Sequence, residues 1–213
     1  CCVHVQQVTT TVVSHGVTGW RDFRADVVRA FVSYGWVYDG EVVIDADPQA
    51  QAIRTKSKAL MFIQKERDAS WLRPAMADYI LCFRHPGKNE IPVHGDVSNE
   101  EWILWARPVW YGVERSDTLQ FQKARADKDE RHICPLQLGT IERCIRLWTN
   151  PGETVFSSFA GIGSEGYVAL QKLRKFIGIE LKPEYWKQAV TNLRHANPQT
   201  SLEFGDTSHG GLT

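Results

Sequence analysis

Residues Val155 to Leu170 read VFSSFAGIGSEGYVAL, and within them Gly161, Gly163 and Gly166 stand in G-x-G-x-x-G spacing. A β-branched and aromatic run, TVFSS, enters the glycines, and a helical pattern, YVALQKL, leaves them. That strand–turn–helix setting is the one in which the spacing carries meaning. Glycines let backbone N–H groups approach a ligand closely, and the helix N-terminus behind them presents partial positive charge. A nucleoside site also needs an acid at the end of the next strand, roughly 20 residues on, to accept the ribose hydroxyls. Glu180, closing FIGIE, stands at that distance. The stretch reads as a nucleoside-binding loop.

Which nucleoside is a separate question, and three features speak against a dinucleotide. Glu165 lies in the loop where a pyrophosphate would press on it, and like charges there are costly. A ligand bearing a sulfonium and an ammonium has no such conflict. A dinucleotide fold normally opens with its fingerprint, whereas here the fingerprint comes late and the rest of the sheet must precede it. Finally, HICPLQL, residues 132–138, stands directly before the helix that leads into the strand, and a dinucleotide site does not ask for it.

Together these residues resemble the S-adenosylmethionine site of amino-group DNA methyltransferases, those that act on adenine N6 or cytosine N4. More narrowly, they resemble the permuted (beta-type) subgroup, whose catalytic half precedes its cofactor half. The resemblance implies an α/β, Rossmann-like methyltransferase sheet with circularly permuted motif order and a small irregular insert. It implies that Ser158, Phe159, Ala160, Gly161, Gly163 and Ser164 hold the cofactor's methionine and adenosine parts, and that Glu180 accepts the ribose hydroxyls. His132, Pro135, Leu136 and Gln137 would line the methionine end. Residues 1–87 would be the later strands of the catalytic half, 88–131 the target-recognition insert, and 132–213 the cofactor half within the same structural domain as 1–87. The sequence departs from the family pattern in carrying Ser157-Ser158 before Phe159, and HICPLQ matches the family's segment only at His132 and a displaced proline and glutamine.

Such enzymes align an exocyclic amine through a [DNS]-P-P-[YFW] tetrapeptide, whose ring stacks on a base flipped out of the duplex. The chemistry is positioning and asks for no covalent nucleophile. The nine prolines include no adjacent pair, so the tetrapeptide is absent and no catalytic residue is assigned. Asp47-Pro48-Gln49 and Asn150-Pro151-Gly152 are the nearest imitations; the second reads more simply as a turn. In permuted order the tetrapeptide would precede Cys1, and the chain opens without methionine in a strand-like run. The expectation is an upstream catalytic strand that has been cut away or is carried by another chain, leaving these residues inactive alone. Restriction–modification, with adenine N6 favoured over cytosine N4, is the expected setting. A nicotinamide- or flavin-dependent oxidoreductase stays open through the literal glycine match, as does a non-catalytic DNA-binding fragment.

The rest of the chain sets bounds. With 43% hydrophobic and 23% charged residues over 213, the composition is that of an ordinary globular protein. No apolar run reaches the roughly 18 residues of a membrane span. Five cysteines without a C-x-x-C pair argue for reduced thiols in a cytosolic compartment, with no zinc site; no metal is assigned. The family resemblance implies that this cytoplasm is bacterial, or that of a virus's bacterial host. Basic and acidic residues balance at 25 each, so any footprint for double-stranded DNA must be local. Trp110 and Arg107 in EEWILWARPVWYG, with Lys123 and Arg125 in QKARADK, are the candidate DNA contacts, although packing of a small lobe explains the tryptophans as well. Arg54, Lys56 and Lys58 could also meet phosphates.

The element pattern supports an α/β chain with a mostly parallel sheet. Strands are expected at 1–8, within WVYDGEVVID, at 77–83, 153–158 and 176–180, with a short last one at 201–204. Helices are expected at 21–34, 138–148, 164–172 and 183–195, and 14–20 as loop. Phe23, Val27, Val28, Phe31 and Val32 should share one helix face.

Overall fold

Alternation along CVHVQ makes Cys2–Gln6 (β1) a strand that buries Val5 on one face. Val8–Thr10 (β2) and Gly19–Arg21 (β3) pair antiparallel. Between them Val12–His15 forms a four-residue helix (α1); Thr11 caps it, and Gly16 ends it at φ +73°. The loop expected at 14–20 is thus helix at its start and strand at its end. This is a computed structural model describing residues 1–119 and 135–196. They fall into two compact units, Cys1–Lys88 with Ile103–Val113, and Asn89–Trp102 with the described residues from Glu114 on.

In the first unit, Asp22 caps Phe23–Ser33 (α2) by accepting from the Ala25 N–H. Val27, Val28 and Phe31 pack on Val5, Leu81 and Phe83, and the Phe31 and Phe83 rings stack at 4.3 Å. Phe23 and Val32, expected on that face, are exposed instead. Arg24 reaches across from α2 to both oxygens of Glu41, at 2.8 and 2.7 Å. The Tyr38 hydroxyl donates to the same carboxylate at 2.8 Å. Burial, with that carboxylate beside it, pushes the Tyr38 phenol up to about 12.

The sheet of this unit runs β1–β5–β4–β6, with Val37–Ile44 as β4, Asp78–Arg84 as β5 and Val109–Trp110 as β6. Only β6 lies parallel to its neighbour; β5 is antiparallel to both β1 and β4. This corrects the expectation of a mostly parallel sheet. The excursion from β4 to β5 leaves and re-enters at one end of the sheet, so the strand it delivers must run backwards. That excursion carries helices Pro48–Thr55 (α3) and Phe62–Arg67 (α4). Asp47 accepts from the N–H groups of Gln49 and Ala50, so Asp47-Pro48-Gln49 is a helix cap and not an imitation of a catalytic tetrapeptide. Buried Gln51 then closes the loop on itself, donating to Met76 O at 3.0 Å and accepting from Met76 N–H at 2.8 Å.

Asn99–Trp105 (α5) lies where irregular structure is expected. In the second unit, Leu138–Trp148 (α6), Thr154–Ser157 (β7), Ser164–Gln171 (α7), Lys175–Gly178 (β8) and Pro183–Ala196 (α8) follow the expected order. Here the pairing is parallel, β7 with β8. Ile141 and Ile145 of α6 and Val168 and Ala169 of α7 form the core, with Val155 and Phe176 of the strands packed on it. The strand expected at 201–204 lies outside the described residues.

Arg174, between α7 and β8, is wholly buried, and all five of its N–H donors are used. It reaches Asp96 Oδ2 at 2.7 Å and Oδ1 at 3.2 Å, Thr149 O and Lys172 O at 2.6 Å each, and Thr149 Oγ1 at 3.0 Å. Burial pushes the Asp96 carboxyl upward, but the hydrogen bonds and charge of Arg174, with Arg146 nearby, outweigh it and hold it below its ordinary value. Replacing Arg174 by Met leaves Asp96, Thr149 O and Lys172 O without their donor. We expect a loss of about 3–5 kcal/mol in urea unfolding, with Arg174→Lys recovering only part of it. Because the folded Asp96 pKa is depressed, its contribution is complete above the unfolded value and is lost as pH falls through the folded one. Wild type should therefore lose stability on acidification below about pH 4, and Arg174→Met should lose less over the same range.

Candidate nucleoside-binding site

β7 delivers the chain into the glycine loop, and three backbone bonds set the loop's path. Ser157 O accepts from Ile179 N–H at 2.9 Å, Ile179 O from Ala160 N–H at 2.9 Å, and Ala160 O from Gly163 N–H at 2.7 Å. The Glu180 carboxylate then accepts from Gly161 N–H through Oε2 and from Lys182 N–H through Oε1, both at 2.8 Å. From α8, Asn192 Nδ2 donates to Ile162 O at 2.8 Å. The acid and the loop thus form one hydrogen-bonded unit.

The three glycines are there for three different reasons. Gly161 has φ +53°, and a Cβ built on it meets nothing within 4 Å. Its side of the loop faces open space. Gly163 has φ +84°, and its Cβ would lie 3.1 Å from Ala189 Cβ and 3.3 Å from Ala189 Cα, so it seats the loop on α8. Gly166 sits under Phe176 and Leu193, whose side-chain atoms would fall 2.4–2.6 Å from an added Cβ. It brings α7 down onto β8 and α8. Of the three, only Gly161 leaves the space its Cβ would take open.

Around this loop, Ser158 and Phe159 are exposed, Phe159 by 87%, whereas Ala160 and Ser164 are buried. Glu165, in the first turn of α7, is half-buried, and desolvation pushes its carboxyl up. Pro135 and Gln137 lead into α6, with Gln137 at the N-cap, and Leu136 packs against the α6–α7 core. Thr140, in the first turn of α6, is fully buried and its hydroxyl has no partner among the described residues. His132 lies outside the described residues.

The DNA-contact candidates divide differently. Arg107 is exposed. Trp110 is 1% exposed, with its indole N–H donated to Trp105 O at 2.8 Å. As part of the packed interior it cannot stack on a base, which corrects that expectation in favour of packing. Lys123 and Arg125 lie outside the described residues. Among the described residues no group of three or more His, Cys, Asp or Glu side chains is placed to hold a metal, and no helix is long and apolar enough to cross a membrane.

Sequence reasoning missed Ala189, Asn192 and the Lys182 N–H, which all support the loop. Ala189, Asn192, Leu193 and Ala196 repeat at helical spacing on α8, which marks one packed face. Nothing in that spacing says the face meets a glycine loop.

Comparison with known proteins identifies the family. The DNA methylase family N6_N4_Mtase matches residues 30–191, most of the chain. Type II methyltransferase M.BglI from Bacillus subtilis is 35% identical over 117 residues, covering 54% of this chain and 30% of that one. The DNA adenine methyltransferase YhdJ of Escherichia coli K12 is 36% identical over 78 residues, covering 37% and 26%. The chain therefore aligns with only about a third or less of these relatives' lengths. Among solved structures, a Thermus thermophilus protein assigned as a DNA modification methylase, complexed with S-adenosyl-L-methionine, superposes with TM-score 0.70 at 18% identity. That superposition covers 92% of this chain and 69% of the other. The cytosine-N4-specific PvuII DNA methyltransferase superposes with TM-score 0.59 at 18% identity, covering 98% and 64%. The glycine loop with its acid, the α/β fold and the extent of the family match lead to one conclusion: this chain belongs to the N6/N4 DNA methylase family.

Proposed function

We propose that the site between Gly161 and Glu180 holds S-adenosylmethionine, and that the complete enzyme methylates an exocyclic amine of a base in double-stranded DNA. The observation that carries this reading is the Glu180 carboxylate, fixed at 2.8 Å on the Gly161 N–H beside the open face of that glycine. Glu180 would accept the ribose hydroxyls. The exposed ring of Phe159 would cover an apolar part of the ligand, and Pro135, Leu136 and Gln137, with His132, would line the methionine end. When bound, the cofactor supplies an electrophilic methyl group on a sulfonium. The residues' own work is to orient that ligand and keep its cationic end near acids.

The same chemistry disfavours the oxidoreductase alternative. The Gly161 N–H already meets a carboxylate, and Glu165 stands in the first turn of α7. A pyrophosphate there would face two acids, a sulfonium none of the repulsion. Of the two acceptor classes, we name adenine N6 ahead of cytosine N4. The setting we propose is a bacterial cytoplasm, or that of a virus's bacterial host, with the [DNS]-P-P-[YFW] tetrapeptide supplied from outside these 213 residues.

Calorimetry is expected to show S-adenosylhomocysteine binding to wild type and no binding of NADH; tight NADH binding would reverse the assignment. Glu180→Ala should weaken S-adenosylhomocysteine by tenfold or more, since it removes charged-acceptor bonds of about 1.5–3 kcal/mol. The two loop glycines should separate. Gly161→Ala meets no neighbour, so it should cost about 1–2 kcal/mol of stability through its left-handed backbone yet abolish ligand binding. Gly163→Ala adds a clash with Ala189 and should destabilise the fold further. With no tetrapeptide among them, the 213 residues alone should transfer methyl groups to DNA at background rate; sustained turnover would show that the chemistry does not need it.

A further inference from the structure

Within the first unit, the excursion between β4 and β5 carries a concentrated excess of positive charge. Residues 56–73 carry Lys56, Lys58, Lys65, Arg67 and Arg73 against only Glu66 and Asp68, in a protein whose formal charges cancel. The first four of these cations are exposed. So are two aromatic rings of the same stretch, Phe62 and Trp71, each 72% exposed.

The fold makes a built surface of this stretch. Gln6 at the end of β1 and Ile44 at the end of β4 both pair with Asp78 at the start of β5. The excursions 7–22 and 45–77 therefore leave the same end of the sheet. They meet where the Arg73 guanidinium lies 5.8 Å from the Trp20 ring centre. Arg73 also donates to Ser57 Oγ at 3.0 Å, which ties the two ends of the basic stretch together. Lys56 is held in the left-handed region at φ +54°, where it ends α3. This end of the sheet is the carboxyl end of β4 and of parallel β6, the side on which open α/β sheets take their ligands.

We propose that this surface, the β4–β5 excursion joined to Trp20, is a contact face for duplex DNA. Lys56, Lys58, Lys65 and Arg67 meet phosphates, and Trp71 meets an unstacked base. Cations interleaved with exposed rings suit a polyanion with stacking bases. The inference rests on the reading of the protein as a DNA enzyme, and it moves the contact face from Trp110, which is buried, to a segment outside the expected 88–131 insert.

The test is fluorescence anisotropy of the full chain with a labelled duplex across a salt series, in the presence of S-adenosylhomocysteine. Each phosphate contact contributes about 0.9 to the slope of log K against log salt. The variant K56A/K58A/K65A/R67A should therefore lower the slope by about 3.6, with unchanged thermal unfolding because all four side chains are exposed. Trp71→Ala should weaken binding roughly tenfold with the slope unchanged, the signature of a stacking contact. If wild type binds with a salt slope that the four-site variant retains, or that moves instead with K123A/R125A, the proposed face is overturned while the DNA reading stands. If wild type shows no salt-dependent binding to duplex, the DNA reading itself falls, and this inference with it.

Discussion

A guanidinium removed from water must find a partner for each of its N–H groups, and Arg174 finds them on three other residues. Its acceptors lie at the end of α6 (Thr149), the end of α7 (Lys172) and the segment before α5 (Asp96), while Arg174 itself precedes β8. A single buried cation thus fixes where two helices stop and a strand starts. The loop that carries the glycines lies at the other end of the same strand pair, so its position follows from this anchor. The β7–β8 register, from Thr154 with Lys175 to Ser157 with Gly178, carries that constraint to the site.

At the far end the constraint becomes a shape. β7 and β8 finish together, Ile179 N–H bonds Ser157 O, and the chain after each strand turns toward the other. Glu180 can then reach back to the Gly161 N–H. The helix behind the loop is close because Gly166 has no side chain to hold Phe176 and Leu193 away. Packing and ligand approach are therefore divided among residues that look alike in the sequence.

Much of this was legible in the residues, and the reasons are specific. α6 begins at Leu138 and ends at Trp148 as the apolar period and the Asn150-Pro151-Gly152 turn require. The strand–loop–helix of the glycine stretch and the distance to Glu180 needed only spacing. What escaped lacks a local signature. Arg174 sits in LRKF, which reads as a solvated charged turn, and its burial depends on Asp96, far away in sequence. α1 is four exposed residues held by a cap and a glycine, with no apolar period to announce it. Strand direction escaped too, because an excursion with two helices between β4 and β5 looks like a crossover until its two ends are seen to share one end of the sheet. Trp110 shows a different limit: its neighbourhood of aromatics and arginine fits both a DNA contact and the packing of a small lobe, and tertiary packing decides for the second.

The Glu180 carboxylate has a count that bears on how the site works. Two oxygens offer about four lone-pair directions, and backbone N–H groups of Gly161 and Lys182 take one on each oxygen. What remains is one acceptor per oxygen, which matches the two adjacent ribose hydroxyl donors of the nucleoside we propose there. The side chain is already fixed by the fold, so a ligand need not supply the roughly 0.5–1.5 kcal/mol that ordering a flexible side chain costs on binding. The same two N–H groups belong to the glycine loop and to the residue leading into α8. A nucleoside drawn to Glu180 therefore meets a loop, a strand end and a helix start that are already mutually bonded, and selection among ligands falls to what lies beyond the ribose. The same loop and helix start also carry the open Gly161, the exposed Phe159 and a second acid, Glu165, and in the proposed site these would favour a cationic, partly apolar tail over a phosphate.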